Sequence, residues 1–520
     1  MGEKERIILK PVKEEHVKEL ERFYPAPVAR ILVIRGVKNK KEAEAFLNPS
    51  LSFLRSPFLF REMEYAVERV IRGIERKERI LVWGDEDVDG ITSAVLLYRT
   101  LLDLGAVVDV YIPDRRKEGF GLSKKGIDKA KEKNITLIIT VDSGVTSVEE
   151  IKYAKELGID VIITDHHEGI EPSGAYATVD PKVEPYPFPH LAGVGVSFKF
   201  SWALVERRMK VNLEQWMGIR REFLMYVAIG TLSDRVPLVD ENRIFYVEGL
   251  KVPEEELSPP LKIIKERELQ NALPILQSGK EGMLLRFLLS TKKEEAATLF
   301  EEMRKKSEAW WEEARQAFNR ICRTIEEQGY VVYLRDLPYE FIGYCASRAK
   351  EMFRYPAIVM TKKGDRVVGE CRAPRDFDAF SLLQENEKLL LTYGGHRPAC
   401  GFSIKEENLG EFIKRARAKI KEWTPKETLE VDAEIRLEEV DERFLELIEK
   451  LEPHGEGNPR PLFLSSCEIE RADDGTYLKK GNVRLKIRGG WIPPGADRCD
   501  PLVFRIEGRE AIIKECMWEL

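Results

Sequence analysis

The sequence predicts a multidomain α/β protein. It has an open parallel-sheet domain, a second α/β domain joined to it by a long helix, and a small C-terminal β-barrel. Three observations carry this reading. Between residues 80 and 167, apolar runs of strand length alternate with amphipathic runs of helix length. A long charged run with helical spacing, EEAATLFEEMRKKSEAWWEEARQAFNRICRTIEEQG, then precedes a new strand, YVVYL, at 330–334. From residue 429 on, short strands recur between turn residues. A βαβα rhythm implies parallel strands with helices on both faces. Evenly spaced short strands imply a barrel.

Taken in order, residues 1–77 read as short helices and loops expected to pack on the first sheet domain. NKKEAEAFLNPSLSFLRSPF ends in proline-punctuated turns, and Met63, Ala66, Val67, Val70 and Ile74 share one helical face. The sheet domain, 78–245, opens with strand ILVWG (80–84) and helix ITSAVLLYRTLLDLG (91–105), which Gly105 closes. Strand VVDVYIP (107–113), helix SKKGIDKAKEKN (123–134) and strand ITLIITVD (135–142) follow. Helix SVEEIKYAKELG (147–158) and strand IDVIITDHH (159–167) complete the rhythm. Residues 246–329 read as helical and end in the inter-domain helix, and 330–424 form the second α/β domain. KEWTPKETLE marks a linker near 422–428, and 425–520 carry the strands LEVDAEIRL, LFLSSCEIERA, NVRLKIRGG, PLVFRIEG and AIIKECMWE.

Composition narrows the function. The 43% of hydrophobic residues suffices for several cores. A net charge of −6 carries no global basic signal, so a nucleic-acid partner must meet a local basic patch. Abundant Lys and Glu lean toward a thermophilic source. Seven cysteines stand singly without a CxxC, which reads as reduced thiols and not as a disulfide framework or zinc site. The charged start MGEKERIILK shows no apolar leader, and no run of about 20 apolar residues occurs. The expected location is the cytoplasm, with no membrane partner.

VWGDEDVDG places three aspartates, Asp85, Asp87 and Asp89, at the mouth of a buried strand. Like charges so close raise each other's pKa, so a cation is expected among them. VDSG adds Asp142, TDHHE adds Asp165, His166 and His167, and LSDRV adds Asp234. Asp85, Asp142 and Asp165 stand at carboxyl ends of predicted strands, where sites in such sheets gather. Any one patch alone reads as a solvated turn or a cap. Together they offer the carboxylates and imidazoles that divalent ions take. Asp87 and Asp89, two apart just past a strand, can project to one side and reach adjacent ions, and Asp142 can bridge them. Two ions about 3.5–4 Å apart suit in-line attack on a phosphate.

These residues resemble the DHH phosphoesterases, named for their Asp-His-His triplet. TYGGHRPACGF (392–402) resembles the Gly-Gly-His signature of the associated DHHA1 domain. LEPHGEGNPRPLF (451–463) resembles the entry to the nucleic-acid-binding OB barrel of the RecJ family, and FLNPS and LAGVGVSFKF (191–200) are also RecJ-like. The resemblance spans nearly the whole chain in the right order. It implies an exonuclease that hydrolyses phosphodiester bonds of single-stranded DNA, 5′→3′, with two Mn²⁺ or Mg²⁺ ions, in repair, recombination or replication. It implies Asp87, Asp89, Asp142, His166 and Asp234 as metal ligands, with Asp85 beside the metals as a ligand or one step out. Asp165 would orient a histidine, and His167 would protonate the leaving group or hold the phosphate. Arg115, Arg372, Gly394, Gly395 and His396 would bind substrate. Glycines admit close backbone approach to phosphate, and arginine forks match its oxygens.

Two positions depart from the pattern. Glu370 stands where the family carries a serine, two residues before Arg372, and Lys280 stands for an arginine in LQSGKEG. They leave open the polarity and the choice between DNA and RNA. In the barrel, Arg471, Lys479, Lys480, Arg484, Lys486 and Arg488 supply a basic face or a solvated one, with Tyr477 and Trp491 as stacking candidates. The resemblance also implies single-strand-binding protein, helicase or replication proteins as companions. Two other readings are a phosphoesterase of short oligonucleotides or RNA and a non-catalytic replication scaffold. The barrel counts against the first, and the retained acids count against the second.

Overall fold

The computed structural model describes residues 6–169, 174–424, 428–493 and 495–519. The linker expected near 422–428 lies partly outside them. The chain divides into two units, Ile7–Arg304 with Glu430–Leu520, and Lys305–Leu429 with Met1–Arg6.

In the first unit, five strands form a wholly parallel sheet: β1 (Arg79–Trp83), β2 (Val107–Tyr111), β3 (Ile135–Val141), β4 (Asp160–Thr164) and β5 (Ala177–Val179). The spatial order is β2-β1-β3-β4-β5. Strand alternation explains the layers. Ile80, Val82, Leu137, Ile139 and Ile162 point into one core, and Leu81, Trp83, Ile138, Val161 and Ile163 into another. A sheet apolar on both faces must be covered on both. On one side lie α1 (Met63–Glu75), α2 (Val88–Asp103), α5 (Gly193–Met209), α6 (Phe223–Ser233) and α7 (Asp240–Leu250); on the other lie α3 (Lys124–Glu132) and α4 (Val148–Glu156). The chain leaves β1 for β2 on one side and reaches β3 on the other, so the crevice outside their carboxyl ends is the natural binding position. The short strand β5 was not read from the sequence, since three residues carry too little periodicity.

Residues 1–77, expected to pack on the sheet domain, divide their contacts. Met63, Ala66, Val67, Val70 and Ile74 join the sheet core as expected. Val17, Leu20, Val28, Ile31, Leu32 and Phe46 instead share a core with barrel residues such as Phe463, Leu485 and Phe504. Their apolar faces have no counterpart on the sheet domain's first layer, and the barrel offers one. Buried Arg35 bonds Asn458 Oδ1 at 3.1 Å and Asp432 Oδ1 at 3.2 Å, tying this segment to the barrel entry.

Helix α8 (Lys293–Gln328) is continuous. In the second unit, β6 (Val331–Tyr333), β7 (Ala357–Lys363), β8 (Arg366–Arg372), β9 (Leu390–His396) and β10 (Ala399–Ile404) form a sheet of order β9-β10-β8-β7-β6. Helix α9 (Ile342–Phe353) covers one face through Ile342, Cys345, Ala346 and Ala349 against Val359 and Val368. Helices α10 (Ala379–Glu385) and α11 (Leu409–Glu422) cover the other.

The barrel consists of β11 (Phe463–Ala472), β12 (Gly475–Lys480), β13 (Val483–Gly489), β14 (Arg498–Glu507) and β15 (Glu510–Glu519). They pair in the ring β11-β12-β13-β15-β14, and β14 returns to β11. Closure removes the open sheet edges. Cys322, Cys345, Cys371, Cys400 and Cys467 are free, but Cys499 is disulfide-bonded, so the expectation of uniformly reduced thiols fails there. Among the described residues no helix is long and apolar enough to cross a membrane.

Candidate active site

The acids gather outside the carboxyl ends of β1, β3 and β4. Asp85 follows β1 and is buried. Its carboxylate accepts the Glu86 N–H at 2.7 Å. Asp87 and Asp89 do not sit in an extended loop, as expected, because α2 begins at Val88. Asp87 is its N-cap, accepting the Gly90 N–H at 2.9 Å, and Asp89 lies in the first turn. An aspartate cap satisfies helix N–H groups that have no partner within the helix. The Asp89 carboxylate accepts the N–H groups of Gly193 and Val194 at 2.8 and 3.0 Å, so the start of α5 grips it.

Asp142 follows β3 with φ at 56°, a left-handed conformation uncommon outside glycine. Gly193 makes room for it, since a Cβ there would lie 2.5 Å from Asp142 Oδ1. Asp165 follows β4 and accepts the N–H of Val145 at 3.0 Å and of His166 at 2.8 Å. His167 Nδ1 lies 2.7 Å from Asp165 Oδ1. Asp234 ends α6 and comes from a helix, not a strand.

Three overlapping donor groups result: Asp142, His166 and His167; Asp89, His166 and Asp234; and Asp85, Asp87 and Asp142, each with ligand atoms within 4.8 Å of one another. His166 Nε2 is 3.0 Å from Asp142 Oδ1 and 3.6 Å from Asp234 Oδ2. This is not an ion pair. Burial, then the neighbouring His167, pulls the His166 pKa down to about 4, so its ring is neutral. Asp142 Oδ1 and His166 Nε2 are also both buried without a hydrogen-bond partner. Two unpartnered lone pairs aimed at one point, beside further carboxylates, fit a divalent cation.

The electrostatics agree. Burial, then mutual repulsion, pushes Asp89 and Asp142 well above the usual carboxylate range. Burial and Asp87 push Asp234 to about 6. Burial also acts upward on Asp165, but its hydrogen bond to His167 outweighs this and holds it low. The same bond raises His167. Arg115 is part of this cluster. Its Nε bonds Asp85 Oδ1 at 2.7 Å and its Nη2 bonds Asp85 Oδ2 and Asp87 Oδ2, the latter at 3.0 Å. A cavity of about 270 Å³ borders the acids, lined by Asp87, Asp89, Asp234, Gln277 and Lys280 among others.

In the second unit, strand register sets the candidate substrate face. His396 pairs with Ala399, which pairs with Arg372; Gly395 pairs with Cys400, which pairs with Cys371; Gly394 pairs with Gly401, which pairs with Glu370. Directly paired residues share a face, so His396 and Arg372 project together while Cys371 and Cys400 turn into the core. Gly395 has φ at 129°, and a Cβ there would lie 2.5 Å from the Ala399 carbonyl. Arg372 Nη1 bonds Glu370 Oε2 at 2.6 Å.

On the barrel, much of the basic supply is internally engaged. Lys479 and Arg484 pair with Glu470 at 2.7 and 2.8 Å, and Arg471 bonds the Ala496 carbonyl at 2.9 Å. Arg484 also covers the Tyr477 ring at 4.1 Å, whereas Trp491 is 73% exposed.

Sequence reasoning passed over the N–H clamp of Gly193 and Val194, although the glycine pair in LAGVGV signalled a close approach. It also passed over Lys182, whose charge acts on His166, His167 and Asp234. No local motif marks that lysine.

Known proteins share this arrangement. Residues 79–231 match the DHH family, N-terminal domain; 327–422 match the DHHA1 domain; and 431–492 match the RecJ OB domain. A curated relative, the single-stranded-DNA-specific exonuclease RecJ of Salmonella typhimurium, is 30% identical over 493 residues, covering 86% of this chain and 84% of the relative. This chain belongs to the RecJ family. The RecJ of Bacillus subtilis is 32% identical over 512 residues, covering 91% of this chain, and the chain spans 63% of that relative's length. A crystal structure of RecJ in complex with Mn²⁺ from Thermus thermophilus superposes with a TM-score of 0.75 at 25% identity, covering 98% of this chain and 79% of that one. RecJ membership accounts for the order of the parts: acid-lined parallel sheet, Gly-Gly-His sheet, OB barrel.

Proposed function

We propose that this chain is a divalent-metal-dependent exonuclease that hydrolyses the phosphodiester backbone of single-stranded DNA in the 5′→3′ direction, within DNA repair, recombination or replication. The observation that carries the reading is the convergence of Asp142 Oδ1 and His166 Nε2, both buried and unpartnered, among four further acids. Asp87, Asp89, Asp142, His166 and Asp234 would hold Mn²⁺ or Mg²⁺. The bound ions supply a hydroxide at neutral pH and neutralise charge on the phosphate oxygens.

The chain's own residues do the rest. The N–H groups of Gly193 and Val194 hold Asp89 ionised where its repulsion would otherwise protonate it. Asp165 fixes the His167 ring through Nδ1 and favours its protonated form. His167 Nε2 is then left to give a proton to the leaving oxygen or a hydrogen bond to the phosphate. Arg115 offsets Asp85 and Asp87 and positions a cation at the edge of the cluster. Arg372, Gly394, Gly395 and His396 form the face that takes the strand, supported by their shared rungs. The barrel adds single-strand affinity through Trp491 and its basic strip.

Digestion of 5′- and 3′-end-labelled single strands, duplexes and a matched RNA, with Mn²⁺ or with EDTA, tests this. Metal-dependent release of mononucleotides from the 5′ end of single-stranded DNA is expected. Preference for two- to five-nucleotide substrates would favour the short-oligonucleotide reading, and activity undiminished in EDTA would end the metal mechanism.

A further inference from the structure

The candidate substrate face of the second unit carries an acid beside its arginine. Arg372 Nη1 gives one bond to Glu370 Oε2 at 2.6 Å and another to the Cys371 carbonyl at 3.0 Å. One arm of the guanidinium is therefore engaged before any ligand arrives, and the pair is neutral. Backbone geometry keeps it so. Gly343, near the start of α9, would place a Cβ 3.6 Å from Arg372 Nη2 and 4.0 Å from Glu370 Cγ, so the positive end of that helix lies against the pair and favours an ionised carboxylate.

The other carboxylate oxygen remains available. Glu370 Oε1 is 3.3 Å from where a Gly401 Cβ would be, so it lies over bare backbone. It borders a cavity of about 400 Å³ lined by Tyr339, Glu370, Thr392, Gly394, Gly401 and Ser403 among others, within the size range of small-molecule sites. The Thr392 and Ser403 hydroxyls sit 2.7 Å apart, and an exposed tyrosine, Tyr339, stands at the wall with Lys363 Nζ 3.5 Å from its ring centroid. This groove offers an aromatic wall, two hydroxyls and an anionic acceptor. A terminal phosphate would have to approach a carboxylate and an arginine that is already engaged. A sugar hydroxyl would donate to Glu370.

We propose that this groove takes the hydroxyl end of a single strand, with Glu370 as the specificity-determining residue, so that a terminal phosphate is not required. The inference rests on the reading of the Arg372–His396 face as strand-binding. The test uses the full chain with Mn²⁺ and internally labelled single strands of one sequence, bearing either a 5′-hydroxyl or a 5′-phosphate. kcat/KM is measured for both with wild type, Glu370→Gln and Arg372→Ala. Wild type should cleave the hydroxyl-ended strand at least as efficiently as the phosphorylated one. Glu370→Gln, which removes the repulsion, should shift the ratio toward phosphate by about tenfold or more. Anisotropy binding of the same strands to the Asp142→Asn background reads the preference even if Glu370→Gln turns over slowly. A wild type that prefers phosphate, or a ratio unmoved by Glu370→Gln, overturns the proposal. If Arg372→Ala leaves kcat/KM unchanged on both strands, the strand-binding reading fails and the proposal with it. Loss on both strands at an unmoved Glu370→Gln ratio sinks the proposal alone.

Discussion

Asp142→Asn should stabilise the metal-free protein while abolishing its response to metal. Asn fits the same space and tolerates the left-handed backbone at φ 56°. Asp142 shares a donor group with Asp85 and Asp87 whose ligand atoms lie within 4.8 Å. With an effective dielectric of about 20, two unit charges at that spacing repel by roughly 3 kcal/mol. Arg115, bonded to Asp85 and Asp87, offsets part of this, leaving a relief on the order of 1–3 kcal/mol. The pKa of Asp142 is raised on folding, so its contribution is present below the ordinary carboxylate pKa and is lost as pH rises through the folded value. The gain from Asn is therefore largest at alkaline pH. At roughly 2–4 °C per kcal/mol it amounts to a rise of several degrees in Tm. Calorimetry in EDTA and in MnCl₂ at about pH 8 measures both arms. Wild type should gain about 2.7 kcal/mol when Mn²⁺ is a hundredfold above Kd, and the variant should gain little. A variant less stable than wild type in EDTA, yet with a full Mn²⁺ increment, would refute the reasoning.

Other outcomes follow from the same geometry. His167→Ala should lower kcat by about 10²- to 10⁴-fold, as loss of a general acid does, while Mn²⁺ binding by calorimetry changes little; a lost Mn²⁺ isotherm would instead place His167 among the ligands. Gly193→Ala, which puts a methyl 2.5 Å from Asp142 Oδ1, should cost on the order of 10²-fold in kcat with the circular dichroism spectrum retained, and near-normal turnover contradicts the close approach. Asp180 is buried with Oδ2 unpartnered, and burial raises its pKa to about 7. Its raised value means stability falls as pH climbs from the usual carboxylate range to about 7, so Asp180→Asn should raise Tm at about pH 8 and much less at about pH 5; an equal shift at both pH values rejects this. Trp491→Ala should weaken single-strand binding by roughly 1–3 kcal/mol if a base stacks there, and unchanged affinity by anisotropy would leave Trp491 out of the contact.

The alternating apolar runs of β1, β3 and β4 and the amphipathic spacing of Met63–Glu75 were legible because burial of a sheet or helix face imposes a period on the residues themselves. The acids after β1, β3 and β4 were legible for a related reason: clustered charge at strand ends is costly without a cation. Topology and pairing lay outside local pattern. Nothing near VWGDEDVDG says that Asp89 is gripped by Gly193 and Val194, more than a hundred positions away, or that Asp234 arrives from a helix end. The barrel-sharing core of residues 17–46 and the Glu370–Arg372 pair likewise depend on which surfaces meet. What the chain determined alone was composition, period and donor chemistry, all of which act over a few residues. Only tertiary structure decided which donors converge on His166 Nε2, because convergence is a property of distances in space and hydrophobic burial, which sets those distances, is indifferent to sequence separation.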